Sequence, residues 1–550
     1  MKKLMGMLSL CGIFAMVALP VAANGRSSPS LKVVQTLYGL LEGTHINGIT
    51  YFKGVPFAKP PVGELRWAAP QDPDPWTGVR AANEYAPMAP QVAETNDWWG
   101  PDFYYDYIDK PIPISEDCLY LNIVTPSLTG TEKLPVFVWF HGGAFMHGYS
   151  YEPEFEASKL AAKGVVVVTA AYRLGMFGYL ATPELSAASS TGTSGNYALL
   201  DQIKSIEWVK KNIAAFGGDP ENITIGGQSA GAVSVTNILT SPLAKGLFQR
   251  AIMSSIFDVF NTFQSFVTKE RVYESSKKYL TEKGYENLSV EQLRALPTEA
   301  FIGPDTTRGD IYGRGFLAYL DDYVVTENPK DYFLKPGALN GIDLFFGSNS
   351  GESNASFAWS TISDINAAAK TTYGDLYDKY NFEKLYKGTD DIGATFESLR
   401  LRSELQGTRH LIIAEVLSKL NPDSNIYPYY FTHWTPYRES EIRWAWHSSE
   451  LWYSFNSLRP IPEQRDWQPL DYKIANDFSS YWANFMKTGN PNGRNLPYWP
   501  AVKPDSSALM ELGDTFKLRE NFYNGTKLAP RDTFMREYLI TSHNLESYYQ

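Results

Sequence analysis

A serine flanked by glycines lies where a predicted strand meets a predicted helix. The run Gly227-Gln228-Ser229-Ala230-Gly231 follows the apolar segment Asn222–Ile225 and opens an apolar helical pattern toward Leu239. On so tight a turn the serine hydroxyl projects above the sheet, and glycines two residues away on each side let strand and helix approach closely. A capping serine at a Gly-rich helix start is the alternative, but the position between strand and helix favours a nucleophile at Ser229.

A second loop of small residues could stabilise an oxyanion. His141-Gly142-Gly143-Ala144-Phe145 follows the apolar run Leu134–Phe140. Small residues let main-chain N–H groups reach a developing negative charge, and one such donor is worth about 3–4 kcal/mol in the transition state. The candidate donors are Gly143, Ala144 and Ala230. A simple tight turn is the alternative for this loop taken alone.

A nucleophilic serine needs a base. The chain has seven histidines, and the order serine, acid, histidine that accompanies this turn removes those preceding Ser229. His447 lies in a loop-like polar stretch after aromatic residues, whereas His433 lies in the strand-like run Ile426–Trp434 and His543 in a polar tail. Spacing makes His447 a candidate base, although an isolated histidine in such a place is more often structural.

The base in turn needs an orienting acid, for which the candidate is Glu352. The predicted strand Leu344–Phe346 ends in a polar turn that reaches Glu352. The acid of such a constellation lies at the end of a later strand, as Glu352 does. A solvated loop carboxylate fits the same position equally well.

Short apolar runs that alternate with helical patterns must position these side chains. Leu199, Ile203, Ile206, Val209 and Ile213 recur at helical spacing between the strand-like runs, and Gly217-Gly218 ends the pattern. This order predicts an α/β fold with a central, mostly parallel sheet covered by helices. Residues 257–340 and 360–420 are predicted to be large helical insertions over the strand ends. The predicted strands are Leu134–Phe140, Val165–Ala171, Asn222–Ile225 and Leu344–Phe346.

Composition limits the class of protein. The 550 residues are 44% hydrophobic and 20% charged, which is typical of a globular chain with a large core. The formal net charge of −11 offers no general positive field, which argues against nucleic-acid binding. The sequence contains no H-E-x-x-H pattern, no P-loop and no G-x-G-x-x-G motif, so we expect neither a metal nor a cofactor.

The N-terminus reads as an export signal. Lys2-Lys3 precede an apolar run, Leu4–Leu19, and the small-residue stretch Pro20-Val21-Ala22-Ala23. This pattern predicts cleavage after Ala23 and a secreted or periplasmic protein; an uncleaved anchor helix is the alternative. The sequence shows no repeat, low-complexity tract or long charge run that would suggest a linker, so residues 24–550 are predicted to form a single domain. Cleavage removes one of the two cysteines, Cys11, so Cys118 is predicted to be a free thiol.

Several blocks in order give the sequence a specific resemblance that covers almost the whole mature chain. It resembles the type-B carboxylesterase family, the cholinesterase-like branch of the α/β-hydrolases. The most recognisable block is Ser115-Glu116-Asp117-Cys118-Leu119-Tyr120-Leu121-Asn122. The other matching blocks are Phe52–Ala58, Pro60–Arg66, Phe216–Pro220, Thr488–Asn492 and Trp499-Pro500.

The resemblance implies an α/β-hydrolase fold and hydrolysis of small-molecule carboxylic esters through an acyl-enzyme. It implies Ser229 as nucleophile, Glu352 as triad acid and His447 as general base. The implied oxyanion donors are Gly143, Ala144 and Ala230. An amidase or a transacylase would use the same triad, and a non-catalytic adhesion or binding module exists on the same fold.

Four positions depart from the family pattern. Gln228 stands where many members have Glu, and Glu352 lies in Gly351-Glu352-Ser353 rather than in an Asp-Glu-Gly triplet. Ala89 occupies the position expected for the disulfide partner of Cys118, and Ile256 stands where the family usually has Gly.

An aromatic cluster is the one feature that bears on substrate choice. If the side chains of this cluster line the substrate pocket, they favour aryl or aromatic-acid esters over long-chain lipids. The alternative is that they pack within a long loop. The cluster comprises Trp98, Trp99, Tyr104, Tyr105 and Tyr107.

Overall fold

The structure is a computed structural model. It describes residues 30–91, 112–256, 267–302, 317–352, 359–386, 388–436, 440–460, 465–504, 506–519 and 529–549. The predicted signal segment and the aromatic cluster at 98–107 lie outside these ranges, so their interpretation stays a prediction.

A single large sheet of thirteen strands forms the centre of the described fold. Its strand order is β1-β2-β3-β5-β7-β6-β8-β9-β10-β11-β12-β13, with β4 paired to β2. The strands are β1 (Ser30–Gln35), β2 (Leu40–Ile46), β3 (Ile49–Pro56), β4 (Val79–Ala81), β5 (Tyr120–Thr125), β6 (Leu134–Phe140), β7 (Val166–Ala170), β8 (Gly218–Gln228), β9 (Arg250–Ser254), β10 (Asp343–Asn349), β11 (Ile426–Phe431), β12 (Met510–Leu512) and β13 (Phe516–Leu518).

The central part of the sheet is parallel, as the alternating pattern predicted. The strands from β7 through β6, β8, β9, β10 and β11 to β12 pair in parallel. All four predicted strands are present, and β8 and β10 extend beyond the apolar runs that revealed them. The carboxyl ends of β6, β8 and β10 therefore meet at one edge, where α/β folds place their sites.

Antiparallel strands border this parallel core. Strands β1, β2, β3, β5 and β7 pair antiparallel in that order, and β13 is antiparallel to β12. These strands were not predicted from the sequence; β1, for example, is exposed along almost its whole length and so forms no apolar run.

Helices cover both faces of the sheet. The described helices are α1 (Ser158–Ala161), α2 (Gly175–Tyr179), α3 (Pro183–Ala188), α4 (Tyr197–Asn212), α5 (Ala230–Thr240), α6 (Lys269–Glu282), α7 (Val290–Ala295), α8 (Pro329–Phe333), α9 (Ile362–Tyr373), α10 (Asp375–Lys379), α11 (Phe382–Leu385), α12 (Asp391–Leu420), α13 (Ser440–Arg443), α14 (Leu451–Ser454), α15 (Pro469–Thr488) and α16 (Pro530–Ser542). None of them is long and apolar enough to cross a membrane.

Strand β6 shows why the core strands read as continuous apolar runs. Val136, Val138 and Phe140 pack into the cluster that includes α4 and α5. Phe137 and Trp139 face the other way, and the ring of Phe137 lies 5.6 Å from that of Trp482 on α15. Because both faces are buried, no alternation with polar residues remains.

The segments predicted as insertions are helical where they are described. Helices α6 to α8 fall within 257–340, and α9 to α12 fall within 360–420. The longest, α12, packs against β10, β11 and α16. The predicted helical character of both segments is thus confirmed within the described ranges.

Cys118 is a buried free thiol, as predicted. Burial raises the pKa of this thiol, which keeps it protonated and unreactive. Cys118 and Ala89, which occupies the position expected for its disulfide partner, line the same cavity of about 10 Å³.

Candidate active site

The candidate nucleophile lies on a strained turn between β8 and α5. The backbone of Ser229 has φ 55° and ψ −120°, a conformation that non-glycine residues rarely adopt. The Ser229 N–H donates to the Ser254 carbonyl at the end of β9, 3.1 Å away. The neighbouring strand therefore anchors the turn predicted from the glycine pattern.

The two flanking glycines are required by close backbone contacts. A Cβ at position 231 would lie 2.1 Å from the carbonyl oxygen of Phe140, and a Cβ at position 227 would lie 2.3 Å from the carbonyl carbon of Gly231. Any side chain would separate α5 from the ends of β6 and β8. The predicted close approach of strand and helix is thus confirmed.

The candidate oxyanion loop packs directly against the serine turn. A Cβ at Gly142 would lie 3.1 Å from Cβ of Ser229. Gly143, Ala144 and Phe145 all have positive φ angles of 95°, 55° and 65°. A glycine-containing turn of this kind can direct main-chain N–H groups at an anion. Ala230, the remaining candidate donor, is the first residue of α5.

The histidine that begins this loop is structural. His141 is buried, its ring stacks on that of Tyr172 at 4.4 Å between centroids, and its carbonyl accepts from the Tyr172 hydroxyl at 2.7 Å. Burial lowers the pKa of His141 to about 4, so the ring is neutral near pH 7.

The candidate acid and base are in contact. Nδ1–H of His447 donates to Oε2 of Glu352, and Oε1 of Glu352 accepts from the Asn349 N–H at 2.8 Å. Both side chains are buried, which strengthens the interaction relative to one in water. The structure therefore brings together the two candidates for which spacing left structural alternatives open.

A backbone bridge explains how residues so far apart in sequence meet. Gly351 pairs with Trp446, and its N–H donates to the Ala445 carbonyl at 2.6 Å. A Cβ at Gly351 would lie 2.1 Å from the Arg443 carbonyl oxygen. The glycine before the acid thus allows the acid loop and the histidine loop to touch.

His447 also reaches the serine turn. Its Nε2 lies 3.2 Å from the side-chain nitrogen of Gln228, the residue before Ser229. The other late histidines have different surroundings: His433 contacts Asp471 and Asp514, and His410 contacts Ser348.

Sequence reasoning missed a second buried carboxyl group behind the pair. Glu450 accepts from the Ser255 hydroxyl through Oε1 and from the Asn349 amide through Oε2, at 2.5 Å in the second case. Burial, with a further contribution from Glu352, raises the pKa of Glu450 to about 7. A glutamate three residues after His447 and a serine at the end of β9 were the available signals, but neither forms a motif by itself.

The described residues include no cluster of three or more His, Cys, Asp or Glu side chains able to hold a metal ion. The groups that the structure brings together are those of nucleophilic acyl transfer: a strained serine, a histidine paired with a carboxylate, and a loop of small residues packed on the serine turn.

Comparison with known proteins agrees with this chemistry. Residues 30–529 match the Carboxylesterase family. The para-nitrobenzyl esterase of Bacillus subtilis (strain 168) is 34% identical over 491 residues, covering 88% of this chain and 94% of that protein. The fumonisin B1 esterase of Sphingopyxis macrogoltabida is 33% identical over 504 residues, covering 88% of this chain and 86% of that protein.

Solved structures give the same result. A PNB esterase has a TM-score of 0.71 and 30% sequence identity to this chain, covering 92% of it and 99% of the esterase. The fold is therefore that of the α/β-hydrolases. The chain belongs to the carboxylesterase family and is a carboxylic ester hydrolase.

Proposed function

We propose that the chain hydrolyses esters through an acyl-enzyme formed on Ser229. His447 takes the Ser229 hydroxyl proton as the oxygen attacks the ester carbonyl, and then gives it to the leaving alcohol. Water repeats the sequence, with His447 again acting as base, and releases the acid. The observation that carries the proposal is the position of His447, which contacts Glu352 through one ring nitrogen and the serine turn through the other.

Electrostatic stabilisation is assigned to the oxyanion loop. We propose that the N–H groups of Gly143, Ala144 and Ala230 hold the developing negative charge. The packing of Gly142 on Ser229 and the positive φ angles that follow it support this role. Glu352 keeps the proton of neutral His447 on Nδ1 and stabilises the imidazolium ion that forms during attack.

Small or aromatic esters are the proposed substrates. One relative is named para-nitrobenzyl esterase and another fumonisin B1 esterase, and the aromatic group in the first name supports an aromatic ester. An exported, mature protein beginning at residue 24 is proposed from the N-terminal pattern. N-terminal sequencing of protein recovered outside the cytoplasm tests that location.

The proposed function is tested by hydrolysis of a short-chain aryl ester. Ser229→Ala removes the nucleophile and is expected to lower kcat by roughly 10⁴–10⁶. Ser234→Ala is the matched control, because Ser234 is a buried serine on the same helix whose hydroxyl accepts from Gln202. Mass spectrometry after rapid quenching should find the acyl group on Ser229.

Two results would contradict the proposal. Equal turnover by wild type and Ser229→Ala would show that another group attacks the ester. Folded wild-type protein that hydrolyses no short-chain aryl ester would contradict the proposed activity itself. Parallel assays with an anilide and with acceptor alcohols separate esterase from amidase and transacylase activity.

A further inference from the structure

The end of the candidate oxyanion loop is held by a buried glutamine from a distant segment. Gln91 is 4% exposed. Its Oε1 accepts a hydrogen bond from the Gly148 N–H at 2.9 Å, and its Nε2 donates to the Gly148 carbonyl at 3.0 Å. Nε2 also lies 3.1 Å from the Ala89 carbonyl oxygen, so one orientation of the amide satisfies all three partners. The side chain thus fixes the peptide groups on both sides of Gly148.

One of these peptide groups lies directly against Gly143. A Cβ at Gly143 would lie 1.9 Å from the carbonyl oxygen of His147. This carbonyl belongs to the same peptide group as the Gly148 N–H, which is bonded to Gln91. Because a peptide group is planar and rigid, a side chain that fixes its N–H also fixes its carbonyl on the opposite side. The position available to the main chain of Gly143 therefore depends on Gln91.

The same turn determines where the Ala144 N–H points. The Gly143 carbonyl accepts from the N–H groups of Met146 and His147 at 2.9 and 3.1 Å. The carbonyl and the N–H of a trans peptide point in opposite directions, so the Ala144 N–H is directed out of the turn. The turn that Gln91 closes at Gly148 thus orients one of the proposed oxyanion donors.

We propose that Gln91 is a positioning residue of the oxyanion hole. Its amide fixes the peptide group that joins His147 to Gly148, and this group sets the place of Gly143. The turn then aims the N–H groups of Gly143 and Ala144 at the developing negative charge. The inference rests on the proposed function, in which these N–H groups stabilise the oxyanion, and it extends that function to a side chain outside the triad and the donor set.

The decisive variant is Gln91→Met, which keeps the length of the side chain and removes its donor and its acceptor. Loss of one oxyanion donor lowers kcat by about 10²–10³-fold, and a displaced donor costs less than a lost one. We therefore expect kcat to fall by roughly 10–100-fold. If the methionine variant does not fold, Gln91→Glu takes its place in every comparison, because it keeps an acceptor for the Gly148 N–H.

The readout compares two ketones of the same shape as inhibitors of aryl-ester hydrolysis, an aryl trifluoromethyl ketone and the matching methyl ketone. The Ser229 oxygen adds to the carbonyl carbon of the trifluoromethyl ketone, the carbonyl double bond becomes the C–O⁻ bond of a hemiketal, and the serine proton passes to His447. The oxyanion of this adduct occupies the proposed hole, whereas the methyl ketone stays planar. In Gln91→Met the inhibition constant of the trifluoromethyl ketone should rise by roughly 10–100-fold, while that of the methyl ketone changes by less than about twofold.

The matched control is Gln202→Met. Gln202 is also fully buried, and its amide donates to the Ser234 hydroxyl at 3.0 Å between α4 and α5. This control removes a buried amide bond elsewhere in the fold. It should lower the melting temperature and leave the affinities for both ketones unchanged.

A selective loss of affinity for the trifluoromethyl ketone in Gln91→Met, and not in Gln202→Met, supports the proposal. Folded Gln91→Met that binds this ketone as tightly as wild type overturns it. An equal loss for both ketones also overturns it, because the whole site would then have changed. Wild-type protein that binds the trifluoromethyl ketone no more tightly than Ser229→Ala overturns the proposed function, and the inference with it; failure of the inference alone leaves that difference intact.

Discussion

A cysteine introduced at position 89 should form a disulfide bond with Cys118. Ala89 and Cys118 are both buried and line one cavity of about 10 Å³. The residue next to Ala89, Met88, pairs with Ile114, and its N–H donates to the Pro113 carbonyl at 2.9 Å. The two segments thus already run side by side, and we expect Ala89→Cys to form a disulfide when the chain folds under oxidising conditions, before Cys118 becomes buried.

The expected gain follows from the length of chain that the bond would close. A loop of roughly 30 residues between positions 89 and 118 loses conformational entropy worth about 3.5 kcal/mol in the unfolded state. Strain in the folded state subtracts from this value. We therefore expect the oxidised variant to be more stable than its reduced form by about 2–3 kcal/mol.

The assay compares one variant in two redox states. Thiol titration in denaturant should find one thiol in the mature wild type and none in oxidised Ala89→Cys. Urea unfolding of the oxidised and reduced forms then measures the gain directly. Ala82→Cys is the matched control, because Ala82 is equally buried and does not line the cavity; it should keep two thiols.

Persistence of both thiols would show that positions 89 and 118 are too far apart to form a disulfide. If both thiols of Ala89→Cys persist after oxidation while the variant remains folded, residues 89 and 118 are not opposed as the shared cavity indicates. A disulfide that forms without any gain in stability would refute the entropy estimate and leave the placement intact.

Three further perturbations have defined outcomes. Glu352→Gln should reduce kcat by about 10⁴, because the amide no longer fixes the Nδ1–H tautomer of the proposed base. Steady-state rates check this, and a loss below tenfold would contradict Glu352 as the proposed acid. Gly231→Ala should destabilise the protein strongly, since the new Cβ would meet the Phe140 carbonyl oxygen at 2.1 Å, and a melting temperature equal to that of wild type would oppose the close packing. Burial acts to lower the pKa of His433, but the carboxylates of Asp471 and Asp514 outweigh it and raise this pKa above its usual value of 6.5. The ion pair therefore stabilises the fold fully below about pH 6.5, and this stabilisation is lost as pH rises through the higher pKa of the folded state. The difference in unfolding free energy between wild type and His433→Asn should therefore shrink between pH 6 and pH 9, and a difference that grows over this range would reverse the assignment.

The serine turn could be predicted from sequence because its cause is local. Two glycines and a serine at fixed spacing, after an apolar run and before a helical one, specify a backbone in which side chains at positions 227 and 231 would collide with neighbouring main chain. Strands β6, β7, β8 and β10 were predictable for a similar reason, since strands buried on both faces appear as unbroken apolar runs. The free thiol at Cys118 followed from counting cysteines.

The pairing of the candidate base with the candidate acid was decided by tertiary structure. Glu352 and His447 are 95 positions apart, and Gln228 and His447 are 219 apart. No local pattern distinguishes such a histidine from a structural one, and from the residues alone Glu352 also fitted a solvated loop. Their burial and mutual contact arise only when the parallel strands align their carboxyl ends at one edge of the sheet.

The sequence by itself determined the turn that strains Ser229, the parallel core and the small-residue loop, because each follows from steric and hydrophobic rules acting over a few residues. Only the tertiary structure decided which histidine meets which carboxylate, placed Glu450 and Ser255 behind them, and turned the Gln228 amide toward the base. Those contacts depend on register between distant strands, and a one-residue shift in that register would separate every one of these pairs.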